Sequence, residues 1–286
     1  MRRPNHLLRL AVMAFLLMGT SSYAGDQPEA VYGAGANQFS LATGSPGELG
    51  LLKVLGETFG NQANAKLAWF KAGSGESLKL LKDKKVDLIM VHAPAAEKQA
   101  VQDGWATKRA LIGSNEFFIV GPASDPAKIA AAQDGLEAYR RIAAAKARFF
   151  SRGDNSGTHK KEMDLWKKAE IKPQGDWYMV SKDFMSATLK RANQGKGYFM
   201  VDSSTWVAEK KDVPDLKILF KGDKLLVNTY HALCQPSGAT PGAATAAKFI
   251  DFVASPQGQQ IIRDYGKEKY GEGLYNDAAY AKQYDE

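Results

Sequence analysis

What most constrains this chain is a unit that repeats along it: a short apolar run, a turn of Ser, Thr and Gly, then a stretch with helical spacing. Val86-Asp87-Leu88-Ile89-Met90-Val91 is a continuous apolar run with one acid, as expected of a strand buried in a parallel sheet. His92-Ala93-Pro94-Ala95-Ala96-Glu97 then turns into a helix. Phe39–Thr43 and Ala65–Phe70 read as strands too, followed by helix openings at Gly44–Glu48 and Gly73–Glu76. In the first opening, Ser45 suits an N-cap, Pro46 the first helical position and Glu48 a capping box. Leu49, Leu52, Leu55 and Phe59 then recur at the spacing of one buried helix face. Strand, turn and helix in series define the α/β class.

The same unit continues downstream. Asn115–Val120 reads as a strand ended by Gly121-Pro122, and a helix is expected from about Gly135 to Lys146. Ala147–Phe150, Trp177–Val180, Gly197–Val201, Leu216–Phe220 and Val227–Cys234 complete the strands. Met163, Trp166 and Ala169 are spaced for one helix face; Leu189 and Ala192 extend another, and Thr245–Ala254 and Gln257–Tyr265 are the last helices. Trp69, Phe70, Trp166 and Trp206 read mainly as core.

One turn stands apart chemically: Ser151-Arg152-Gly153-Asp154-Asn155-Ser156-Gly157-Thr158-His159-Lys160-Lys161-Glu162. The first N–H groups of a helix have no partner within it and carry about half a positive charge. Glycine permits close approach of the backbone, Ser156 and Thr158 add hydroxyls, and Arg152 adds a planar permanent cation. Together they form an anion seat. Thr43–Ser45, Gly73–Gly75 and Asp183–Ser186 are further polar turns after strands, where open α/β sheets bind ligands. Ordinary helix capping produces the same residue types, so each turn alone is a weak signal.

At the start, Arg2, Arg3 and Arg9 precede an apolar run from Leu10 to Met18, and Ser22-Tyr23-Ala24 follows. This is the pattern of a secretory signal peptide, residues 1–24, cut after Ala24. The run is shorter than the roughly 20 residues a spanning helix needs. Pro4-Asn5-His6 does not continue the arginine pair as a twin-arginine signal would, and no cysteine adjoins the cut to take a lipid. The mature chain is expected in the periplasm. Its single cysteine, Cys234, excludes an internal disulfide. The formal charge of +7 falls to +4 once the three leader arginines are gone. That mild balance suits a small anion, and no aromatic-interleaved basic cluster argues for nucleic acid.

Catalytic readings are poor. His92, His159 and His231 lack the spacing of a metal helix, and no cysteine cluster joins them. Ser156 and His159 stand too close on one helix start for a nucleophile and an oriented base, and no Gly-x-Ser-x-Gly elbow occurs. No enzyme, no resident metal and no cofactor are expected.

The chain resembles the tungstate-binding proteins of bacterial ABC uptake systems, the TupA type, over nearly all of Phe39 to Leu274. The segment Ser151–Glu162 carries the resemblance most specifically. Val91–Glu97, Phe118–Pro122, Gly175-Asp176-Trp177-Tyr178 and Ala187-Thr188-Leu189 support it. The resemblance implies a two-lobed periplasmic binding protein of class II type, each lobe a mainly parallel sheet flanked by helices, with two hinge crossings. Lobe I would comprise residues 25–118 and 231–286, and lobe II residues 119–230. A tungstate or molybdate ion would sit between the lobes, and a monomer would deliver it to a permease in the inner membrane. The expected ligand-binding residues are Thr43, Gly44, Ser45, Ser74, His92, Arg152, Ser156, Gly157, Thr158, Met185 and Ser186, with Met185 and Ser186 acting through backbone N–H groups. Two departures touch ligand-side loops. The Thr43–Ser45 loop is one residue shorter than the family's and lacks two threonines, and Ser203 stands where the family has arginine. Phosphate or sulfate therefore remain alternatives, since Asp154, Asp183 and Asp202 are on hand to accept a phosphate proton. So does a sensory subunit presenting the anion to a membrane receptor.

Overall fold

The repeating unit folds as its grammar dictates. The computed structural model describes residues 27–285, so the expected leader lies outside the described residues. The chain first forms β1 (Ala30–Tyr32), β2 (Asn37–Thr43), α1 (Ser45–Glu48), α2 (Leu51–Ala63), β3 (Ala65–Lys71), α3 (Ser74–Lys82), β4 (Leu88–Val91), α4 (Pro94–Gln102) and the long β5 (Thr107–Pro122). Next come α5 (Gly135–Ala144), β6 (Phe149–Ser151), α6 (Gly157–Lys168), β7 (Tyr178–Val180), α7 (Met185–Gly195), β8 (Tyr198–Asp202), α8 (Ser203–Glu209) and β9 (Leu216–Phe220). The chain then returns through β10 (Val227–Cys234), α9 (Ala243–Ala254), α10 (Pro256–Asp264), α11 (Lys267–Tyr270), β11 (Asn276–Asp277) and α12 (Ala278–Ala281).

The strands form one path in the order β1-β3-β2-β4-β10-β5-β8-β6-β7, with β9 and β11 also paired to β5. Pairing is parallel for β3-β2-β4 and for β7-β6-β8. Between those groups β10 and β5 run antiparallel to their neighbours, so the sheet is mixed. Strand β5 begins at Thr107, well before the expected Asn115, because its first half is largely polar or partly exposed and shows no apolar run. Residues 107–116 pair with β10, while residues 117–122 pair with β8 and β9.

The apolar side chains collect accordingly. One cluster draws on residues 117–226, centred on Tyr139, Phe149, Trp166 and Tyr198. The Trp166 ring meets Tyr139 at 4.3 Å and Phe149 at 5.2 Å between centroids, both edge-on. Such pairs contribute about 0.5–1.5 kcal/mol each beyond their buried area. A second cluster holds Leu52, Leu55, Phe59, Leu67 and Phe249, and a third holds Leu81, Ile89, Val91 and Leu233. Cys234 is buried at the end of β10.

Three local expectations change. Ser45 is the first residue of α1 rather than its cap; Gly44 takes the cap position with no side-chain bond. Glu48 pairs with Lys71 at 2.7 Å instead of closing a capping box. The helix then breaks at Gly50, whose φ of 90° is left-handed, before α2 resumes. Finally, Met163 is 40% exposed, because the inward face of α6 is Glu162, Leu165, Trp166 and Ala169.

Candidate functional site

Strands β2, β3, β4 and β6 end at Thr43, Lys71, Val91 and Ser151, and each hands over to a helix opening. Helix α6 starts at Gly157, and the Ser156 hydroxyl accepts from the His159 N–H at 3.2 Å, a working N-cap. Arg152, just upstream, is 5% exposed. Its Nε and Nη2 donate to Asp154 Oδ2 at 3.0 and 2.5 Å, and its Nε also reaches the Asp183 carbonyl at 3.3 Å. The second Asp154 oxygen accepts from the Ser156 N–H at 3.1 Å. Asp154 thus folds the turn over the guanidinium and holds its plane, a role that residue-type reasoning did not assign.

The other openings meet this one. A Cβ on Gly73 would lie 3.1 Å from Ser156 Cβ and 4.0 Å from Arg152 Nη2, so the α3 opening abuts the seat. A Cβ on Gly157 would lie 2.4–2.6 Å from three atoms of the His92 ring, so only glycine lets the α6 backbone approach that imidazole. Ser74 joins the group, its hydroxyl accepting from the His92 N–H at 3.2 Å. The turn carrying His92 is braced by the buried Glu97 carboxylate, which accepts from the Ala93 N–H at 2.6 Å and from Arg109 Nε at 3.1 Å.

Burial pushes the His92 imidazole down to about 3, and the nearby Arg152 cation adds to this, while a hydrogen bond with Asn228 pulls the other way. His92 is therefore neutral at physiological pH. Its Nδ1 and the Thr158 Oγ1 are both buried with no hydrogen-bond partner among the described residues. Buried polar atoms are paired in folded proteins unless a ligand or water completes them.

Not every expected residue offers its side chain. Thr43 is fully buried, and its hydroxyl donates to the Met90 carbonyl at 2.8 Å. Gly44 lies beside Ala72, a Cβ there falling 3.4 Å from the Ala72 carbonyl, and Ser45 is half-buried at the start of α1. Met185 packs into the core, leaving its backbone at the start of α7. The Ser186 hydroxyl donates to Glu209 at 2.5 Å. Two unassigned residues lie close by. Phe184, the residue before α7, has the Arg152 guanidinium 5.7 Å and the Lys71 ammonium 4.4 Å from its ring centroid. Neither had a motif to announce it.

Beneath the seat, Glu162 is 2% exposed and accepts from Tyr178 OH at 2.6 Å and Trp166 Nε1 at 3.1 Å. Burial pushes its carboxyl up to about 7, against the pull of the hydrogen bonds from Tyr178 and Trp166. A separate surface cavity of about 740 Å³, lined by Lys146, Arg148, Trp177 and Lys196, adjoins the ends of α5 and α7, away from these openings. There Lys146 and Lys196 stand where cations offset helix C-terminal dipoles. Among the described residues no group of three or more His, Cys, Asp or Glu side chains is placed to hold a metal ion, and no helix is long and apolar enough to cross a membrane.

Helices thus open at strand ends around a buried arginine and unpaired polar atoms, the place where open α/β sheets bind ligands. The PBP superfamily domain matches residues 30–257. The tungstate-binding protein TupA of Peptoclostridium acidaminophilum is 34% identical over 272 residues, which cover 93% of this chain and 95% of that protein. The structure of the tungstate ABC transporter protein from Geobacter sulfurreducens superposes with a TM-score of 0.73 at 38% identity, covering 81% of this chain and all of that one (100%). For the tungstate-binding protein TupA from Desulfovibrio alaskensis G20 the TM-score is 0.70 at 36% identity, covering 85% and 99%. The chain belongs to the PBP superfamily and, within it, to the TupA family of tungstate-binding proteins.

Proposed function

We propose that this protein binds a fully deprotonated tetrahedral oxyanion, tungstate or its close analogue molybdate, and delivers it to an ABC permease in the inner membrane. The observation that carries this reading is the pair of unpartnered buried atoms, Thr158 Oγ1 and His92 Nδ1, at an α6 opening already lined by a buried arginine. An oxyanion accepts hydrogen bonds only. Arg152, the Thr158 hydroxyl, the Ser74 hydroxyl and the backbone N–H groups opening α6 and α7 are the donors it would meet. His92, held neutral, adds no further charge, and donates to the anion in the tautomer that carries its one proton on Nδ1.

The carboxylates argue against hydrogen phosphate, which would need an acceptor for its proton. Asp154 is engaged by Arg152 and Ser156, and Asp183 by Arg191 and the Phe184 N–H. Asp202 is engaged by Asn115, Ser204 and Thr205. Of the described residues, those up to 118 together with those from 231 on form one lobe and 119–230 the other, joined where β5 and β10 pass between them. The separate core within 117–226 supports this division. The anion closes the lobes by contacting both. The protein acts as a binding component without catalysis, works as a monomer, and reaches the periplasm after loss of residues 1–24.

A thermal-shift panel tests the ligand. Tungstate or molybdate at about a hundred times its dissociation constant should stabilise the fold by about 2.7 kcal/mol. Stabilisation by phosphate with no response to either metal oxyanion would refute the ligand assignment.

A further inference from the structure

Phe184 draws two cations from distant parts of the chain. Lys71 comes from the last position of β3, in parallel register with Thr43, and its Nζ lies 4.4 Å from the ring centroid. Arg152 comes from the turn after β6, and its guanidinium carbon lies 5.7 Å from the same centroid. Lys71 is also held by Glu48 of α1, Nζ to Oε1 2.7 Å. The ring thus connects the Thr43–Glu48 opening to the α7 opening and to the arginine of the seat. An aromatic face attracts a cation within about 6 Å of its centroid, more strongly where water is partly excluded. The Lys71 side chain is 31% exposed and Glu48 15%, so the contact is partly shielded.

We propose that Lys71 and Phe184 form a latch that holds the anion-loaded protein closed: Lys71 positions the site through Phe184 and sets how fast the anion leaves. The proposal rests on the oxyanion-binding reading above. Lys71 is a positioning residue, because the contacts recorded for its ammonium are Glu48 and the ring. On the lobe division proposed above, Lys71 belongs to one lobe and Phe184 to the other, so their contact forms on closing; it slows opening and leaves the encounter of anion with open protein unchanged. The latch therefore acts on the dissociation rate. Phe184 contributes twice, since the ring that Lys71 reaches also steadies the Arg152 guanidinium.

The experiment uses sodium tungstate with the mature chain and five variants: Lys71→Met, Phe184→Leu, the double variant, Lys71→Arg and Glu48→Gln. Calorimetry gives the dissociation constant, and stopped-flow tryptophan fluorescence gives the two rates. Lys71→Met should accelerate dissociation about fivefold, on the scale of a partly shielded cation–π contact, and Phe184→Leu, which also frees Arg152, by more, with association within about twofold of the unmodified protein. The double variant should release as fast as Phe184→Leu and no faster. Lys71→Arg should restore slow release, and Glu48→Gln, which leaves the cation over the ring, should retain it. Additive effects of the two single changes would overturn the latch. So would a loss confined to Lys71→Met with Phe184→Leu silent, which would make Lys71 a direct ligand of the anion. If the unmodified protein binds no tungstate, the function and the latch fall together. If it binds tungstate and all variants release it at the same rate, the latch alone falls.

Discussion

Replacing Arg152 by alanine removes a guanidinium that is 5% exposed and that holds Asp154 through two donors. Two losses follow for the anion. A charge-assisted hydrogen bond contributes about 1.5–3 kcal/mol. The Asp154 carboxylate, still receiving the Ser156 N–H, would then stand in the seat without its counter-charge and repel a dianion. Together these should weaken binding by roughly 2–4 kcal/mol, or about 30- to 1000-fold in Kd. The fold should lose less. The Asp154 side chain is 20% exposed and can take up water, so breaking the pair should cost about 1 kcal/mol rather than the full penalty of a buried pair. In a chain of this size that is about 2–4 °C in Tm. Arg152→Lys keeps the charge but loses the planar fork and should fall between alanine and the unmodified protein. The decisive variant is Arg152→Ala with Asp154→Asn, which removes the stranded carboxylate. Its Tm should recover and its affinity should stay weak. Titration calorimetry with tungstate beside scanning fluorimetry reads both. Recovery of affinity in the double variant would mean that Arg152 only neutralises Asp154, and the seat would be built from hydroxyls and backbone alone.

Gly157→Ala would drive a methyl into the His92 ring, so at least a tenfold rise in Kd is expected by calorimetry, with overpacking costing roughly 1–3 kcal/mol of stability; unchanged affinity would show that His92 does not border the bound anion. Glu162→Gln tests the buried carboxyl by its pH dependence. Its folded value of about 7 lies above the ordinary 4.5, so the stability its protonation provides is complete below 4.5 and is lost as pH rises through 7. The variant should match the unmodified protein near pH 5 and melt several degrees higher near pH 8. His92, with a depressed value of about 3, titrates in the opposite sense, losing stability as pH falls below 6.5, and cancels from the comparison. A Tm difference that is the same at both pH values would rule out a carboxyl that titrates near neutrality.

Much of this was legible because local chemistry forces it. The run from Leu88 to Val91 is apolar throughout because β4 is an interior strand buried on both faces. Ser156 caps α6 because its side chain can reach the N–H three residues on. The failures share a different cause. Ser45 and Glu48 have the right residues for a capping box, but Lys71, 23 positions later, offers Glu48 a stronger partner. Residues 107–114 give no strand signal, since that half of β5 is set by pairing with β10, whose sequence lies more than a hundred residues away. Phe184 looks like any core aromatic until its two cations are placed. Periodicity reports what a residue does within its own element; it is silent on partners that only the fold supplies.

The pairing of β5 with β10 has a consequence for how the chain assembles. Asn115 and Asn228 are 113 residues apart in sequence, yet Asn228 Nδ2 donates to Asn115 Oδ1 at 2.8 Å. Closing so long a loop from a disordered chain is entropically unfavourable. The intervening residues contain a core of their own, and that core includes both Phe117 and Leu226. Once it has condensed, its two ends leave side by side, and the long loop has become a short one. The amino-terminal strands still leave the second edge of β4 unpaired until β10 arrives. The middle of the chain thus serves as the clasp on which the flanking halves, otherwise strangers in sequence, are brought into register.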